Sequence, residues 1–196
     1  VLQHIAPHLA QPMPFILTTY RETPWPRWKL SIGVKIYDWL CGAGNLGKSS
    51  TLSREELLNA LKSSPPESQG LTGAVRYFDG LTSDSRLVID TLRSAARHGA
   101  AVLNYTRFES ASREDSSWHC SARDLLSDTR FDIDARAVVC AAGPWAETLP
   151  NNTLHLRLTK GIHLVIDRRR LPIPDAVVMT EGKRVLFAIP WGERVI

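Results

Sequence analysis

A run of small residues, Ala141-Ala142-Gly143-Pro144-Trp145, is one of two places where the sequence could do chemistry. These residues present almost no side chain before the proline, so their N–H and C=O groups could approach a flat ligand within hydrogen-bond distance. Residues 135–140 include two valines and predict a buried strand that must end at the glycine-proline pair. An ordinary buried strand stopped by that pair is an equally good interpretation of these residues alone.

The second place is the segment from Gly42 to Ser49, which matches the phosphate-loop pattern G-x-x-x-x-G-K-S. In a working loop of this kind the backbone N–H groups cradle phosphate, Lys48 contacts the terminal phosphates and Ser49 binds magnesium. Such a loop follows a buried strand and precedes a helix that starts at the lysine. Residues 35–39 are half polar, and the next helix start falls at Ser53. A glycine-rich surface turn is therefore the preferred interpretation, and a nucleotide-binding domain is the alternative.

Composition sets limits on both ideas. The 196 residues, 43% of them hydrophobic, can bury one core or parts of two. The net charge of +4 comes from 24 basic and 20 acidic residues that are scattered along the chain. The densest basic run, Arg168-Arg169-Arg170, is typical of a solvated turn. We therefore expect no nucleic-acid partner.

The cysteines and the chain ends add three expectations. Cys41, Cys120 and Cys140 lie far apart without metal-ligand spacing, which predicts reduced thiols, a cytoplasmic protein and no metal site. No apolar run reaches the roughly 18 to 20 residues of a membrane span. The chain begins at Val1 without methionine and ends on an apolar run at Ile196, so we interpret it as a piece of a longer protein.

Local patterns predict the elements of the first part of the chain. Ser53-Arg54-Glu55-Glu56 forms a capping box, and the leucines that follow it give a short helix its apolar stripe. The other elements expected here are a helix end at 1–9, a break at Pro12-Met13-Pro14, a strand over Phe15–Tyr20, a helix or strand over Leu30–Cys41, and a loop over Ser63–Gly73.

The second part is predicted to alternate helix and strand and then to form a meander. Ser83 or Asp84 caps a helix that runs to His98, and Gly99 is a suitable residue to end it. Turns at Glu114–Ser117 and Leu126–Thr129 separate the meander strands. The predicted strands are Ala74–Phe78, Ala101–Thr106, those flanking the two turns, Leu156–Leu158, Gly161–Asp167, Ala176–Thr180 and Val185–Pro190, with a hairpin turn at Glu181-Gly182-Lys183.

Several segments together resemble the FAD-dependent glycerol-3-phosphate dehydrogenases of the D-amino-acid-oxidase-like flavoprotein superfamily. They occur in the family's order and spacing over nearly the whole chain. The segments that carry this resemblance are Ala6–Leu9, Tyr77–Gly80, Asp84–Val88, Gly99–Arg107, Ala141–Trp145, Arg157–His163 and Arg184–Trp191.

The resemblance implies a mixed α+β and α/β fold in which pieces of an FAD-binding domain and a β-sheet substrate domain are interleaved. It assigns residues 1–73 and 153–196 to the substrate side and residues 74–152 to the FAD side. The family's own N-terminal G-x-G-x-x-G strand is absent from this sequence. We therefore expect that the fragment alone does not hold FAD.

The resemblance also implies the site. The segment Ala141, Ala142, Gly143, Pro144 and Trp145 would border the flavin, and Arg107 and Phe108 would lie near the adenine end. Lys160 and His163 would face the substrate, with His163 the candidate base. A solvated lysine and a strand histidine are the structural alternatives for these two residues. Ile162 stands where many members have serine.

The reaction implied for the intact protein is oxidation of sn-glycerol 3-phosphate to dihydroxyacetone phosphate. Hydride would pass to FAD and then, as electrons, to a quinone, or to oxygen in the related oxidases. Arg157 and Arg184 are conceivable phosphate ligands, because a bidentate arginine suits a phosphate dianion. The family further implies a cytoplasmic protein peripheral to the inner membrane and a possible homodimer.

Overall fold

The computed structural model describes residues 2–22, 25–61, 70–149, 153–181 and 184–196, and nothing is said of the others. It is a mixed arrangement of helices and strands, which confirms the predicted fold class. The chain divides into two compact units, one made of Val1–Ile89 and Ile162–Ile196 and the other of Asp90–Gly161. The assignment of residues 1–73, 74–152 and 153–196 to substrate and FAD domains, with its different boundaries, stays a prediction.

The described elements are four α-helices, eleven strands and two 3-10 helices, at Gly42–Gly44 and Gly143–Thr148. The helices are α1 (Leu2–Ile5), α2 (Arg27–Cys41), α3 (Arg54–Leu61) and α4 (Asp84–Arg97). The strands are β1 (Ala10–Tyr20), β2 (Ser50–Ser53), β3 (Leu71–Thr82), β4 (Thr106–Glu114), β5 (Ser117–Asp124), β6 (Arg130–Ala135), β7 (Ile166–Asp167), β8 (Ala176–Glu181), β9 (Arg184–Ala188), β10 (Pro190–Trp191) and β11 (Arg194–Val195).

A five-stranded sheet in the order β2-β3-β1-β8-β9 dominates the first unit. β1 runs antiparallel to β3 and parallel to β8. The predicted break at Pro12-Met13-Pro14 is wrong, because β1 continues through it. Along β1, only Phe15–Leu17 pair with β8. The two prolines, which lack an N–H donor, therefore lie where β1 is paired with β3 alone.

The core of this unit lies between α3 and the sheet. Leu57 is fully buried and Leu61 nearly so, and both belong to a cluster with Ile16 and Val177 of the central strands. The predicted capping box starts this helix. Glu56 N–H donates to Ser53 Oγ (3.2 Å), and Ser53 N–H donates to Glu56 Oε2 (2.7 Å). Two otherwise unpaired backbone donors at the helix start are thereby satisfied.

The second unit contains the predicted three-stranded meander, in the order β4-β5-β6. Gly99 ends α4 with a φ of +88°, as expected for a glycine in this role. The predicted strand over Ala101–Thr106 is wrong, because the strand begins only at Thr106. Tyr105 has a φ of +52°, which a continuous strand cannot accommodate, and β5 pairs from Asp124 opposite Thr106 onward.

The strands predicted near the C-terminal part are only partly present. Residues 156–165 are irregular, and β7 covers only the last two residues of the expected Gly161–Asp167 strand, where β11 pairs with it. A strand requires a neighbour for its backbone groups, and the described chain supplies none for 156–165. β8 and β9 form the predicted antiparallel pair. Gly182 and Lys183 of the hairpin turn lie outside the described residues, as does most of the loop predicted at Ser63–Gly73, whose last three residues belong to β3.

Candidate functional site

The segment predicted to border a flat ligand follows the last strand of the meander. β6 ends at Ala135, and the chain then runs irregularly until a 3-10 helix at Gly143–Thr148. The strand predicted over residues 135–140 is therefore wrong beyond Ala135. Within the described residues no strand pairs with Val138 to Cys140, and an unpaired segment does not form a strand.

The backbone of this segment is open. Among the described residues, the N–H groups from Val138 to Ala142 have no hydrogen-bond partner, and the side chain of Val139 is 85% exposed. Gly143 has a φ of +54°, and a Cβ built on it would meet nothing within 4 Å. The segment thus presents free backbone donors next to open space, which suits contact with a flat, polar-edged group.

The 3-10 helix fixes the residues that follow. Trp145 N–H donates to the carbonyl oxygen of Ala142 (3.1 Å), and Thr148 Oγ1 donates to the carbonyl oxygen of Trp145 (2.7 Å). The indole of Trp145 is 69% exposed, whereas Ala146 is buried. The predicted ligand-facing residues therefore end on an exposed aromatic ring that a short helix holds in place.

Arg107 and Phe108, the other predicted cofactor contacts, lie at the start of β4. Arg107 is in register with Arg123 on β5, and that residue pairs in turn with Arg130 at the start of β6. Ala135, from which the 141–145 segment departs, ends β6. Because β4 and β6 run in the same direction, Arg107 and Ala135 lie at opposite ends of the meander, about 17 Å apart along the strands.

A β-bulge at Glu109 lies beside these residues. Phe108 pairs with Ala122 and Ser110 pairs with Ser121, so Glu109 is the extra residue on β4. Its carboxylate lies between two arginines, 2.8 Å from Arg123 Nε and 2.9 Å from Arg130 Nε. The bulge re-aims the strand immediately after the two predicted contact residues, and this ion-pair bridge across three strands holds it in position.

Lys160 and His163, the predicted catalytic residues, both lie in the irregular stretch over 153–165. Their side chains are exposed. Lys160 belongs to the Asp90–Gly161 unit and His163 to the other, so each is described by itself. Their catalytic roles stay predictions.

The loop from Gly42 to Ser49 lacks the geometry of a phosphate loop. It leaves helix α2 and enters strand β2, which is the reverse of the strand-to-helix order that such a loop needs. Two of its backbone donors are already used: Ser49 N–H donates to Asp38 Oδ2 (2.8 Å), and Gly47 N–H donates to Asn45 Oδ1 (3.2 Å). The surface-turn interpretation is therefore the one that fits, and the nucleotide-binding alternative has no support in the loop.

Asp38 holds this loop closed. It accepts hydrogen bonds from Ser49 Oγ (2.6 Å) and Asn45 Nδ2 (3.0 Å) as well as from the Ser49 amide. The hydrogen bond from the Ser49 hydroxyl, followed by those from the Ser49 and Asn45 donors, lowers the pKa of the Asp38 carboxyl. The Asp38 carboxyl group thus stays ionised, and both of its oxygens face the donors of the loop.

Two further classes of site were tested in the described chain. No group of three or more His, Cys, Asp or Glu residues there could hold a metal ion. In the same ranges, no helix has both the length and the apolar character needed to cross a membrane.

Comparison with known proteins decides the family. The FAD dependent oxidoreductase (DAO) family matches residues 1–196. The chain belongs to the DAO family. The resemblance stated from the sequence is thereby confirmed.

Individual relatives of this DAO chain carry related names. It is 34% identical over 209 aligned positions to the alpha-glycerophosphate oxidase of Streptococcus pyogenes, covering 99% of this chain and 34% of that protein. It is 33% identical over 193 positions to the aerobic glycerol-3-phosphate dehydrogenase of Staphylococcus epidermidis, covering 94% of this chain and 34% of that protein. The DAO chain therefore spans about a third of the length of these relatives.

A solved structure matches the fold. The glycerol-3-phosphate dehydrogenase from Bacillus halodurans, in a structure complexed with FAD, superposes with a TM-score of 0.72 at 26% identity. The match covers 99% of this DAO chain and 35% of that one.

Sequence reasoning missed the Asp38 network and the Glu109 bulge of the DAO chain. The available signal for the Asp38 network was Asp38 itself, which is the single acidic residue of α2 and lies in its last turn. The bulge had no local signal, since it depends on which residues of β5 lie opposite β4.

Proposed function

We propose that this chain is part of a longer FAD-dependent enzyme that oxidises sn-glycerol 3-phosphate to dihydroxyacetone phosphate. The support is the similarity along the whole chain to proteins named for oxidation of this substrate. Because those relatives are about three times as long, we propose that the chain by itself is inactive.

One observation carries the proposal to particular residues. The backbone N–H groups from Val138 to Ala142 are unpaired in the described chain and lead into Gly143, beside which there is open space. Of these, Ala141, Ala142 and Gly143 are positions that the resemblance assigns to the flavin. Arg107 and Phe108, assigned to the adenine end, lie at the end of the meander opposite Ala135, from which the segment assigned to the flavin departs.

When bound, FAD supplies the hydride acceptor. The residues of this chain then have three tasks. Ala141, Ala142 and Gly143 border the flavin and exclude bulk next to it. His163 takes the proton of the substrate hydroxyl as general base, and Lys160 contributes positive charge on the side of the substrate phosphate.

Acceptor and location complete the proposal. Electrons pass to a quinone, and the protein is cytoplasmic, peripheral to the inner membrane and homodimeric. Relatives named as oxidases favour oxygen as the second candidate acceptor. Measuring peroxide formation against reduction of a soluble quinone, with glycerol 3-phosphate as donor, separates the two.

Substitution of Gly143 tests the placement of the cofactor. In the full-length protein we expect Gly143→Val to lower FAD content severalfold, because a branched side chain at a φ of +54° both strains the backbone and fills the open space. Gly192→Val is the matched control, since Gly192 has a φ of +56° and equally open surroundings. Equal FAD retention in the two variants would contradict the proposed placement.

A further inference from the structure

The three-stranded meander has one polar and one apolar face. In antiparallel strands, residues that lie opposite each other carry their side chains on the same face, so each cross-strand row belongs to one face. The apolar row at the start of β4 consists of Phe108, Ala122 and Phe131. The neighbouring row, on the other face, consists of Arg107, Arg123 and Arg130. Phe108 therefore lies on the apolar face and Arg107 on the polar face.

The bulge at Glu109 decides which face Arg107 and Phe108 occupy. From the turn between β4 and β5, the pairing runs regularly back along β4 to Ser110. A strand without a bulge would next place Glu109 opposite Ala122, which is 4% exposed. Because a slip of one residue moves every side chain to the other face, Phe108 would then lie on the polar face and Arg107 on the apolar face.

The Glu109 side chain favours the bulged register over the regular one. In the bulge its carboxylate lies 2.8 Å from Arg123 Nε and 2.9 Å from Arg130 Nε, and the side chain is only 23% exposed. This negative charge compensates two cations that lie directly opposite each other, an arrangement that is otherwise unfavourable. In the regular register the carboxylate would face the buried Ala122, away from both arginines, and the burial of an unpaired charge is costly. The charge of Glu109 therefore selects the register.

We propose that Glu109 is a positioning residue for FAD, which fixes the register of β4 so that Arg107 and Phe108 present the correct faces to the adenine end of the cofactor. This deepens the proposed function and rests on the contact that it assigns to those two residues. Glu109 acts through the strand and does not itself touch the cofactor. All of the contacts involved lie between β4, β5 and β6, so they do not depend on which parts of the longer protein cover the meander.

The test compares two ligands of the full-length apoprotein, FAD and flavin mononucleotide (FMN), which has the flavin but no adenine end. In Glu109→Val an apolar side chain can lie opposite Ala122, so we expect β4 to slip into the regular register. Binding of FAD should then weaken about tenfold or more, as for the loss of one or two hydrogen bonds, whereas binding of FMN should stay within about twofold. A general loss of structure would weaken the binding of both ligands.

Deletion of Glu109 separates the register from the ion pairs. Removal of the extra residue leaves every other residue of β4 opposite its present partner on β5. The deletion variant should therefore bind FAD more tightly than Glu109→Val does, although both lack the carboxylate. Asp128→Asn is the matched control, because it removes an ion pair of the same Arg123 (3.0 Å) from outside the strands. It should bind FAD and FMN as the wild type does.

Three results would overturn the proposal: Glu109→Val protein that binds FAD as the wild type does, Glu109→Val protein that loses FMN as strongly as FAD, or a deletion variant that binds FAD no better than Glu109→Val does. Reduction of the bound flavin by sn-glycerol 3-phosphate is followed on the wild-type protein. FAD binding that depends on Glu109, in a protein whose flavin this substrate does not reduce, would count against the proposed function alone. Flavin reduction together with unchanged FAD binding by Glu109→Val would count against the role of Glu109 alone.

Discussion

Gly47 shows why a motif can match and still lack its function. A Cβ built on this residue would lie 2.5 Å from an atom of the Phe78 ring, so the glycine lets the loop lie against the ring. Two of the N–H donors of this loop, those of Gly47 and Ser49, are bound to Asn45 and Asp38. The G-x-x-x-x-G-K-S spacing therefore reflects packing and loop closure here, which a sequence pattern cannot distinguish from ligand binding.

Replacement of Gly47 by alanine should destabilise the loop by about 1–3 kcal/mol, because the added methyl group overlaps the Phe78 ring and one of the two must move. Gly44→Ala is the control, since a Cβ there meets nothing within 4 Å. Hydrogen exchange of the amides in residues 42–50 measures both variants. Equal protection in the two would show that the ring does not constrain the loop.

His119 supplies a pH dependence. Its Nδ1 lies 2.9 Å from Asp134 Oδ1 on the neighbouring strand, and its Nε2 lies 4.0 Å from Asp132 Oδ2. The hydrogen bond to Asp134, helped by the negative charge of Asp132, raises the pKa of His119 above its ordinary value. A raised pKa means that the pair stabilises the fold fully below the ordinary value of about 6.5, and that this contribution is lost as pH rises through the folded-state pKa.

The prediction for this pair is a downward shift of the His119 pKa in Asp134→Asn, measured by NMR titration of the imidazole in histidine-labelled protein. Asp128→Asn, which removes a carboxylate that pairs with Arg123, should leave the His119 titration unchanged. A titration at the ordinary histidine value in the wild type would contradict the hydrogen bond.

Elements whose signals are local were predictable, and those that depend on a distant partner were not. The capping box of α3 and the glycine that ends α4 are read within a few residues, so both were found. The valines at 138 and 139 have the composition of a buried strand, but a strand needs a neighbour, and the described chain provides none. The same reason explains the missing strand at 156–158. The site segment was located from its small residues, while its irregular backbone could not be foreseen.

Ser53→Ala should weaken α3 by about 1 kcal/mol, because it removes the acceptor for the Glu56 N–H. The helix contributes Leu57 and Leu61 to the core, so faster hydrogen exchange is expected along α3. Ser50→Ala on β2, at an exposed position before the cap, is the control. Unchanged exchange in α3 of Ser53→Ala would show that packing alone holds the helix.

At the scale of the whole molecule, the chain combines two compact units, and the one formed by Val1–Ile89 and Ile162–Ile196 is discontinuous. Local patterns indicated both helices and strands, but they could not show which segments close into one unit, because that depends on pairings such as β1 with β8, about 160 residues apart in the chain. The ordered family segments supplied the identity of the fold. The catalytic roles predicted for Lys160 and His163 stay predictions, because the two residues belong to different units of the described chain.

The most direct test of the central claim is an anaerobic titration of the full-length protein with sn-glycerol 3-phosphate, followed by visible absorbance. The account predicts an oxidised flavin spectrum that bleaches on addition of the substrate and recovers when a quinone or oxygen is admitted, with dihydroxyacetone phosphate formed in equal amount. A protein that contains no flavin, or one whose flavin stays oxidised with this substrate, would contradict the account.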